Sequence, residues 1–251
     1  MNWSRCSRTL AVALLVLTLL APVASAVAVG PSGVPGEAQV GSDVSATFTF
    51  TELYSDYEEW TLHGETNATN VTWTVTQYDQ AGNQLSQQSY DGQSFDESVA
   101  LSSDASKVEV EIAGTTPEVA NYSYEPPQTF RLAEFSQVRE GGTSKSLERF
   151  GVHYYTEESK PARQAIDDAA PAVESSGSKQ AKRKLDQAKQ AYNRENFELA
   201  TDLASDAKQA AQSSQQTQLL VYAAVALVVV VLVAGGIYYW WSNRSTYDKL
   251  A

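Results

Sequence analysis

The chain contains several short runs in which apolar and polar residues alternate with a period of two. In one run Phe48 and Phe50 stand between threonines, and in another Trp73 stands in the alternating stretch VTWTV. This alternation is typical of strands that have one buried face and one solvent-facing face. The other alternating runs are centred on Trp60 and Leu62, Val108 to Ile112, Phe130 and Leu132, and Phe150 to Tyr154.

Turn-forming residues separate these runs. Examples are Ala81-Gly82-Asn83, Asp91-Gly92 and Pro126-Pro127, which are combinations that favour chain reversal. Six to eight strands at this spacing predict an antiparallel β-sandwich over residues 38–155. Residues 27–37 are interpreted as a linker that precedes it.

The order of these features resembles immunoglobulin-like and fibronectin III-like surface domains. The resemblance is carried by Trp73 in VTWTV, by the DQAGN turn that follows and by the KVEVEIAG strand. It implies a mainly β fold of the immunoglobulin-like sandwich type. Because such sandwiches host many functions, the resemblance does not by itself indicate one.

Residues 156–218 change to a helical period. Two apolar stripes follow the helix-capping Ser178, and a turn at residues 193–196 separates them. The first stripe comprises Ala181, Leu185, Ala188 and Tyr192, and the second comprises Phe197, Ala200, Ala204, Ala207 and Ala211. They predict an α-helical hairpin that acts as a stalk or, alternatively, as a docking surface for a partner's helix. We expect a shorter helix before it, broken near Pro171.

The N-terminus has the features of a secretory signal peptide. Arg5 and Arg8 precede an apolar run of about fifteen residues, and Ala24-Ser25-Ala26 offers a signal peptidase site. We expect residues 1–26 to be removed, so that the mature chain begins at Val27. The alternative is an uncleaved anchor helix.

A second apolar segment lies near the C-terminus. Residues 219–241 contain no charge and are long enough, at 1.5 Å per residue, to cross a bilayer core of about 30 Å. The tail at residues 242–251 carries Arg244 and Lys249, which favours the cytoplasm. The sequence therefore predicts a single-pass type I protein of the cell membrane, with its N-terminal region extracellular.

Three Asn-x-Ser/Thr sequons lie in the predicted extracellular region. Asn67, Asn70 and Asn121 each occupy the first position of such a motif, which accepts glycans only outside the cytoplasm. They are therefore possible glycosylation sites.

Acidic residues dominate the predicted extracellular region. Residues 27–218 contain 29 acids, 14 lysines plus arginines and no cysteine. This composition resembles that of haloarchaeal proteins, in which molar salt screens the self-repulsion. The alternative is an acidic surface on an ordinary bacterial or archaeal protein. The negative charge argues against nucleic acid or an anionic lipid surface as a partner.

No motif indicates catalysis, a cofactor or a metal. His63 lies on the polar face of its run, near Glu59 and Glu65, and His153 precedes two tyrosines. Neither has the spacing of a zinc site, and no P-loop or nucleophile-elbow motif is present. We expect no enzymatic activity. The sequence favours a membrane-anchored extracellular binding or structural module of the cell envelope, with envelope or membrane proteins as partners. The alternative is an accessory subunit of a membrane transport or secretion complex.

Overall fold

The computed structural model describes residues 26–139 and 141–243. The described chain divides into two compact units. The sheet unit comprises residues 26–118 and 129–153, and the helical unit comprises residues 119–128 and 154–243. Residues 119–128, which the sequence placed inside the sandwich, therefore belong to the helical unit. The predicted signal peptide, apart from Ala26, and the tail beyond residue 243 lie outside the described residues.

The sheet unit is built from two five-stranded sheets. Sheet A has the order β1-β3-β8-β5-β6, and sheet B has the order β2-β10-β9-β4-β7. The central pairings in both sheets are antiparallel. The strands are β1 (Ala28–Ser32), β2 (Glu37–Gln39), β3 (Asp43–Thr51), β4 (Glu59–Glu65), β5 (Thr69–Tyr78), β6 (Gln84–Asp91), β7 (Ser94–Ala100), β8 (Lys107–Thr115), β9 (Thr129–Val138) and β10 (Ser144–Tyr155).

Each alternating run of the sequence forms a strand, but the sheets also contain strands without a clear alternation. Residues 28–32, which we interpreted as part of a linker, form β1 and pair with β3 at the edge of sheet A. Gly30 and Pro31 give β1 no apolar face. β6 is largely polar and exposed, because it is the opposite edge of the same sheet. Edge strands can be held by backbone pairing alone, so periodicity does not report them.

The core of the sheet unit consists of large aromatic and branched side chains from both sheets. Phe48 and Phe50 of β3 each lie 4.9 Å, between ring centroids, from Phe135 of β9. Trp73 is fully buried and packs against Phe95 of β7 at 5.0 Å. The inner faces of the two sheets are therefore in contact. Burying each such side chain stabilises the fold by roughly 1.5–3 kcal/mol.

The helical unit is built on three helices, α1 (Ser159–Ser176), α2 (Lys179–Asn193) and α3 (Phe197–Asn243). The Ser178 hydroxyl accepts a hydrogen bond from the Ala181 N–H and caps α2, as the sequence predicted. Apart from the half-buried Phe197, both predicted stripes are buried in one core. That core also includes residues of α1, namely Ala162, Ile166, Ala169 and Val173.

The predicted two-helix hairpin is therefore incomplete, because α1 is an equal member of the core. The predicted break at Pro171 is wrong, since α1 continues through it. Pro171 lies on the exposed side of α1, while Ala169 and Val173 on either side of it are buried. Tertiary packing of these two residues holds the helix together against the loss of one backbone hydrogen bond.

Candidate functional site

Helix α3 changes character along its length. Ala200, Ala204, Ala207 and Ala211 are fully buried in the helical core. The segment Ala224–Ser242 has a mean hydropathy of 2.1, and none of it is buried in the protein. Within the described residues it is the one helix that is long and apolar enough to cross a membrane. Exposed aromatic residues, including Trp240 and Trp241, end this segment, as at a bilayer interface.

A network of charged side chains lies on the outer face of sheet B. His63 of β4 pairs through Nδ1 with Asp96 of β7 (2.8 Å) and through Nε2 with Glu65 (3.2 Å). The guanidinium of Arg131 on β9 then joins Glu65 (2.9 Å) to Glu134 (2.8 Å). This charged network, made of these five residues, crosses three adjacent strands of one sheet.

A β-bulge brings Arg131 and Glu134 to the same face. They are three positions apart in the sequence, so a regular strand would point their side chains to opposite sides. In the register with β10, Phe150 pairs with Ala133 and Gly151 pairs with Arg131. Leu132 is therefore an extra residue on β9, and the alternation shifts by one at this point.

The two carboxylates determine the protonation of His63. Burial by itself lowers the pKa of His63, but the hydrogen bonds to Asp96 and Glu65 outweigh it and raise the pKa above its ordinary value. The hydrogen bond with His63 lowers the pKa of Glu65, and Arg131 lowers it further. Because a carboxylate occupies each ring nitrogen, His63 has no free nitrogen to take a proton from a nucleophile. The arrangement therefore suits electrostatic recognition rather than base catalysis.

An open depression of about 550 Å³ lies beside this network. Its lining includes His63, Glu65 and Asp96 together with hydroxyl groups of β9 and β10, such as Ser136 and Ser146. Within the described residues, no group of three or more His, Cys, Asp or Glu side chains has the arrangement of a metal site. The depression offers charged and hydroxyl groups to a polar ligand.

A second polar cluster lies inside the sheet unit. Glu97 of β7 is 9% exposed and accepts hydrogen bonds from Gln77 (2.7 Å) and from the Tyr90 hydroxyl. Burial and the bond to Glu97 raise the pKa of Tyr90 to about 12. These bonds link β5 and β6 of sheet A to β7 of sheet B. The cluster therefore joins the two sheets rather than forming a site open to solvent.

The residues singled out from the sequence fall in different places. Asn67, Asn70 and Asn121 are all exposed, and their glycosylation stays a prediction. Asn70 adopts a positive φ of 51°, a conformation that asparagine tolerates. His63 does contact Glu65, as its position suggested. Its closer partner Asp96 could not be found from the sequence, because only the cross-strand register of β4 and β7 brings them together.

Comparisons with known proteins do not assign a family. No protein-family model matches the chain. No curated protein matches it either.

Similarities to solved structures are weak. The sporulation control protein Spo0M from Bacillus subtilis matches with a TM-score of 0.30 and 11% identity, over 57% of this chain and 55% of its own. A DUF4466 family protein from Parabacteroides merdae matches with a TM-score of 0.30 and 12% identity, over 51% and 45%. A cohesin module from a Clostridium perfringens family 33 glycoside hydrolase matches with a TM-score of 0.26 and 18% identity, over 53% and 99%. The chain thus spans about half the length of the first two. TM-scores this low carry no argument.

Proposed function

We propose that the protein is a membrane-anchored module of the cell envelope that holds an immunoglobulin-like sheet unit outside the cell. In this proposal the sheet unit binds or supports other envelope components and catalyses no reaction. The single observation that carries the proposal is α3, in which a buried helix continues into the exposed apolar segment Ala224–Ser242. Among the described residues, an apolar surface of this length has no protein partner, and it is suited to lipid.

The charged network on sheet B is the proposed contact surface. Its side chains are half-buried or exposed and already paired with one another, so little ordering is required when a partner binds. Carboxylates, a guanidinium and serine hydroxyls are the groups that recognise a polar protein surface or a glycan. Paired charges of both signs contribute more to the specificity of binding than to its affinity.

A second candidate is an accessory subunit of a membrane transport or secretion complex. The observation that favours it is the unbroken helical backbone of α3 from Phe197 to Asn243. A continuous helix can pass a displacement of the helical unit to the membrane segment and to a neighbour there. Crosslinking in native membranes separates the two candidates, because surface-layer components support the first and a polytopic membrane protein supports the second.

Membrane anchoring is tested by charge substitution within α3. We expect the double variant Leu227→Lys and Val230→Lys to appear in the soluble fraction after alkaline extraction, because each lysine costs about 2.5–3.5 kcal/mol at the centre of a span. The matched control is Gln212→Lys with Gln216→Lys, on the same helix before the apolar segment. It should remain with the membrane. Equal retention of both variants would contradict anchoring through α3.

Orientation is tested with single cysteines in a Cys6→Ser background. Gln88→Cys on the exposed edge strand β6 should react with a membrane-impermeant maleimide on intact cells. Thr246→Cys in the tail should react only after permeabilisation. The reverse pattern would contradict an extracellular sheet unit.

A further inference from the structure

The helical unit carries a concentration of basic residues that contrasts with the overall acidity of the chain. α2 contains five lysines and arginines and one acid, Asp186, whereas the chain as a whole has a formal net charge of −12. Four of the five basic residues lie in the first half of the helix, at positions 179, 182, 183 and 184. The basic charge is therefore local. The net charge of the chain, which argues against an anionic lipid surface as a partner of the molecule as a whole, does not describe this helix.

The positions of these basic residues are unfavourable for the helix dipole of α2. The N-terminal end of a helix carries a partial positive charge, so acidic side chains stabilise it and basic ones do not. The first turn of α2 contains no acid and begins with Lys179. A helix whose sequence served only its own stability would have the opposite order. The same end is an attractive place for an anion, because the helix dipole and the side chains act with the same sign.

Three of them are exposed and available. Lys179, Lys182 and Arg183 point to solvent, and none of them forms a salt bridge with any other residue that the structure describes. Lys184 differs, because it pairs with Asp206 of α3. Lys208 of α3 is also exposed. It lies two residues after Asp206, and Lys182 lies two residues before Lys184, the partner of Asp206. We call Lys179, Lys182, Arg183 and Lys208 the basic collar.

The collar lies at the end of the helical unit that is nearest to the apolar segment. The Lys184–Asp206 pair shows that α2 and α3 are in contact. Ser178, which caps α2, lines the same depression as Ser213 and Ser214 of α3, so earlier residues of α2 lie beside later residues of α3 and the two helices run antiparallel. Lys208 of the collar lies eleven residues before Leu219, where the apolar run begins, which is about 16 Å along α3, and an extended lysine side chain covers part of this distance. A headgroup layer is about 5–8 Å thick, and the Debye length is about 8 Å at physiological ionic strength.

We propose that the basic collar binds the anionic headgroups of the lipid leaflet into which α3 inserts. This inference rests on the proposed membrane anchoring and adds a specific lipid class to it. Each basic residue close to an anionic surface attracts it, and the attraction is confined to about one Debye length. The adjoining depression of about 510 Å³, lined by Ser178, Gln180 and Ser214 among others, adds hydroxyl and amide donors for a phosphodiester. The collar thereby fixes the helical unit against the membrane surface.

The test places a fluorescent probe at each end of α2 in the full chain, reconstituted into vesicles of phosphatidylcholine with one third phosphatidylglycerol. Gln180→Cys reports the collar, and Gln190→Cys is the matched control, since both glutamines are exposed on the same helix. The readout is a quenching ratio: the quenching of probe fluorescence by headgroup spin-labelled phosphatidylglycerol divided by its quenching by headgroup spin-labelled phosphatidylcholine. We expect a ratio of about two or more at position 180 and about one at position 190.

Charge variants assign the effect to the collar. Arg183→Gln should lower the ratio at position 180, whereas Arg194→Gln, an exposed arginine just beyond the other end of α2, should leave it unchanged. The triple variant Lys179→Gln, Lys182→Gln and Arg183→Gln should bring the ratio to about one, as should molar salt. Circular dichroism of each variant checks that the helices persist.

The outcomes separate this inference from the proposed function. A probe at Val230→Cys that acyl-chain spin labels do not quench would overturn membrane anchoring and the collar with it. A quenched probe at position 230 together with a ratio of one at position 180 would overturn the collar alone. A third outcome is a quenching ratio of one at position 180 together with energy transfer between labelled copies. It would show that the collar binds the acidic surface of a second copy, and it would also overturn the lipid proposal.

Discussion

The cores of the sheet unit and the helical unit are filled by different kinds of side chain. The sheet unit fills the space between its sheets with phenylalanine, tryptophan, valine and leucine. The helical unit is packed mainly by alanine, and its largest fully buried side chain is Tyr192. Small side chains let helices approach to the lower end of the usual 8–10 Å separation. Loss of side-chain volume should therefore destabilise the core of the sheet unit most, and added side-chain volume should destabilise the core of the helical unit most.

The two units also differ in charge. Residues 31–155, which form most of the sheet unit, carry 19 acids and 5 bases. Residues 156–218, which form most of the helical unit, carry 10 acids and 9 bases. Self-repulsion is therefore concentrated in the sheet unit, whereas the helical unit is nearly balanced. Conditions that alter screening or protonation should act on the two units unequally.

The largest effect is expected from a charge placed in the alanine core. Ala204→Asp puts a carboxylate at a fully buried position of α3, and the cost should be about 5 kcal/mol or more because the charge has no partner there. Limited proteolysis of the full chain in detergent should reveal new cleavage within residues 178–212 and an intact sheet unit.

The matched control for this change is Ser205→Asp, at the exposed neighbouring position. It should keep the protease resistance of the parent. If Ala204→Asp resisted protease as well as Ser205→Asp does, the close packing of α2 against α3 would be refuted.

A deletion in the aromatic core should have the next largest effect. Trp73→Ala removes a fully buried side chain that packs against Phe95 and Phe135 and leaves the Gly92 carbonyl without its indole donor. We expect a loss of about 3–5 kcal/mol from the sheet unit. Chemical denaturation followed by near-ultraviolet circular dichroism measures it. Trp240→Ala, at an exposed tryptophan, should not change the unfolding midpoint of the sheet unit, and an equal shift in both variants would contradict this account.

Salt should stabilise the sheet unit more than the helical unit. Between 0.1 M and molar KCl, the free energy of opening of β3 and β5 should rise by about 1–2 kcal/mol, because screening reduces repulsion among the acids. Hydrogen exchange of the full chain, read by mass spectrometry, resolves each unit. α2 should change by less than about 0.5 kcal/mol. An equal or larger gain in α2 would contradict the charge comparison, and no gain in either would remove the halophile interpretation.

The smallest effect concerns the protonation of His63. Its pKa is raised in the folded state, so its pairing with Asp96 and Glu65 contributes stability that is complete below the unfolded pKa of about 6.5. This contribution is lost as the pH rises through the folded pKa. For partly exposed groups it should be under about 1 kcal/mol. His63→Gln should therefore be less stable than the parent at pH 5.5 and indistinguishable from it at pH 9.

The control for the pH effect is Thr61→Gln, at a half-buried position on the same face of β4 that carries no ionisable side chain. Its stability relative to the parent should not depend on pH. A constant difference between His63→Gln and the parent at both pH values would show that the imidazole acts by packing and not by charge.

Local patterns were sufficient where a side chain has to face a core. The alternation around Phe48, Trp73 and Val110 predicted strands, and the spacing of Ala204 and its neighbours predicted a buried helix face, because burial imposes the period of the backbone on the sequence. The apolar length of residues 219–241 likewise predicted a helix suited to a membrane. Such elements can be predicted from the sequence, because each is determined by a few consecutive residues.

Contacts between distant segments were decided only by the tertiary structure. The segment at residues 119–128 joins the helical unit through Tyr124, whose N–H donates to Asn193 (2.7 Å), and through Tyr122, which packs on Phe197. Neither contact has a local signature. Strand β1 has none either, because an edge strand is held by backbone hydrogen bonds.

The charged network depended on the same kind of information. His63 meets Asp96 through the register of β4 with β7, and Arg131 meets Glu134 through the extra residue at Leu132. A shift of one residue would send these side chains to the other face of the sheet. The sequence by itself determined the buried faces of the alternating strands and of helices α2 and α3, and which segment suits a membrane. The pairing of strands, the bulge and the packing of α1 decided which polar groups meet, because those meetings depend on residues far apart in the chain.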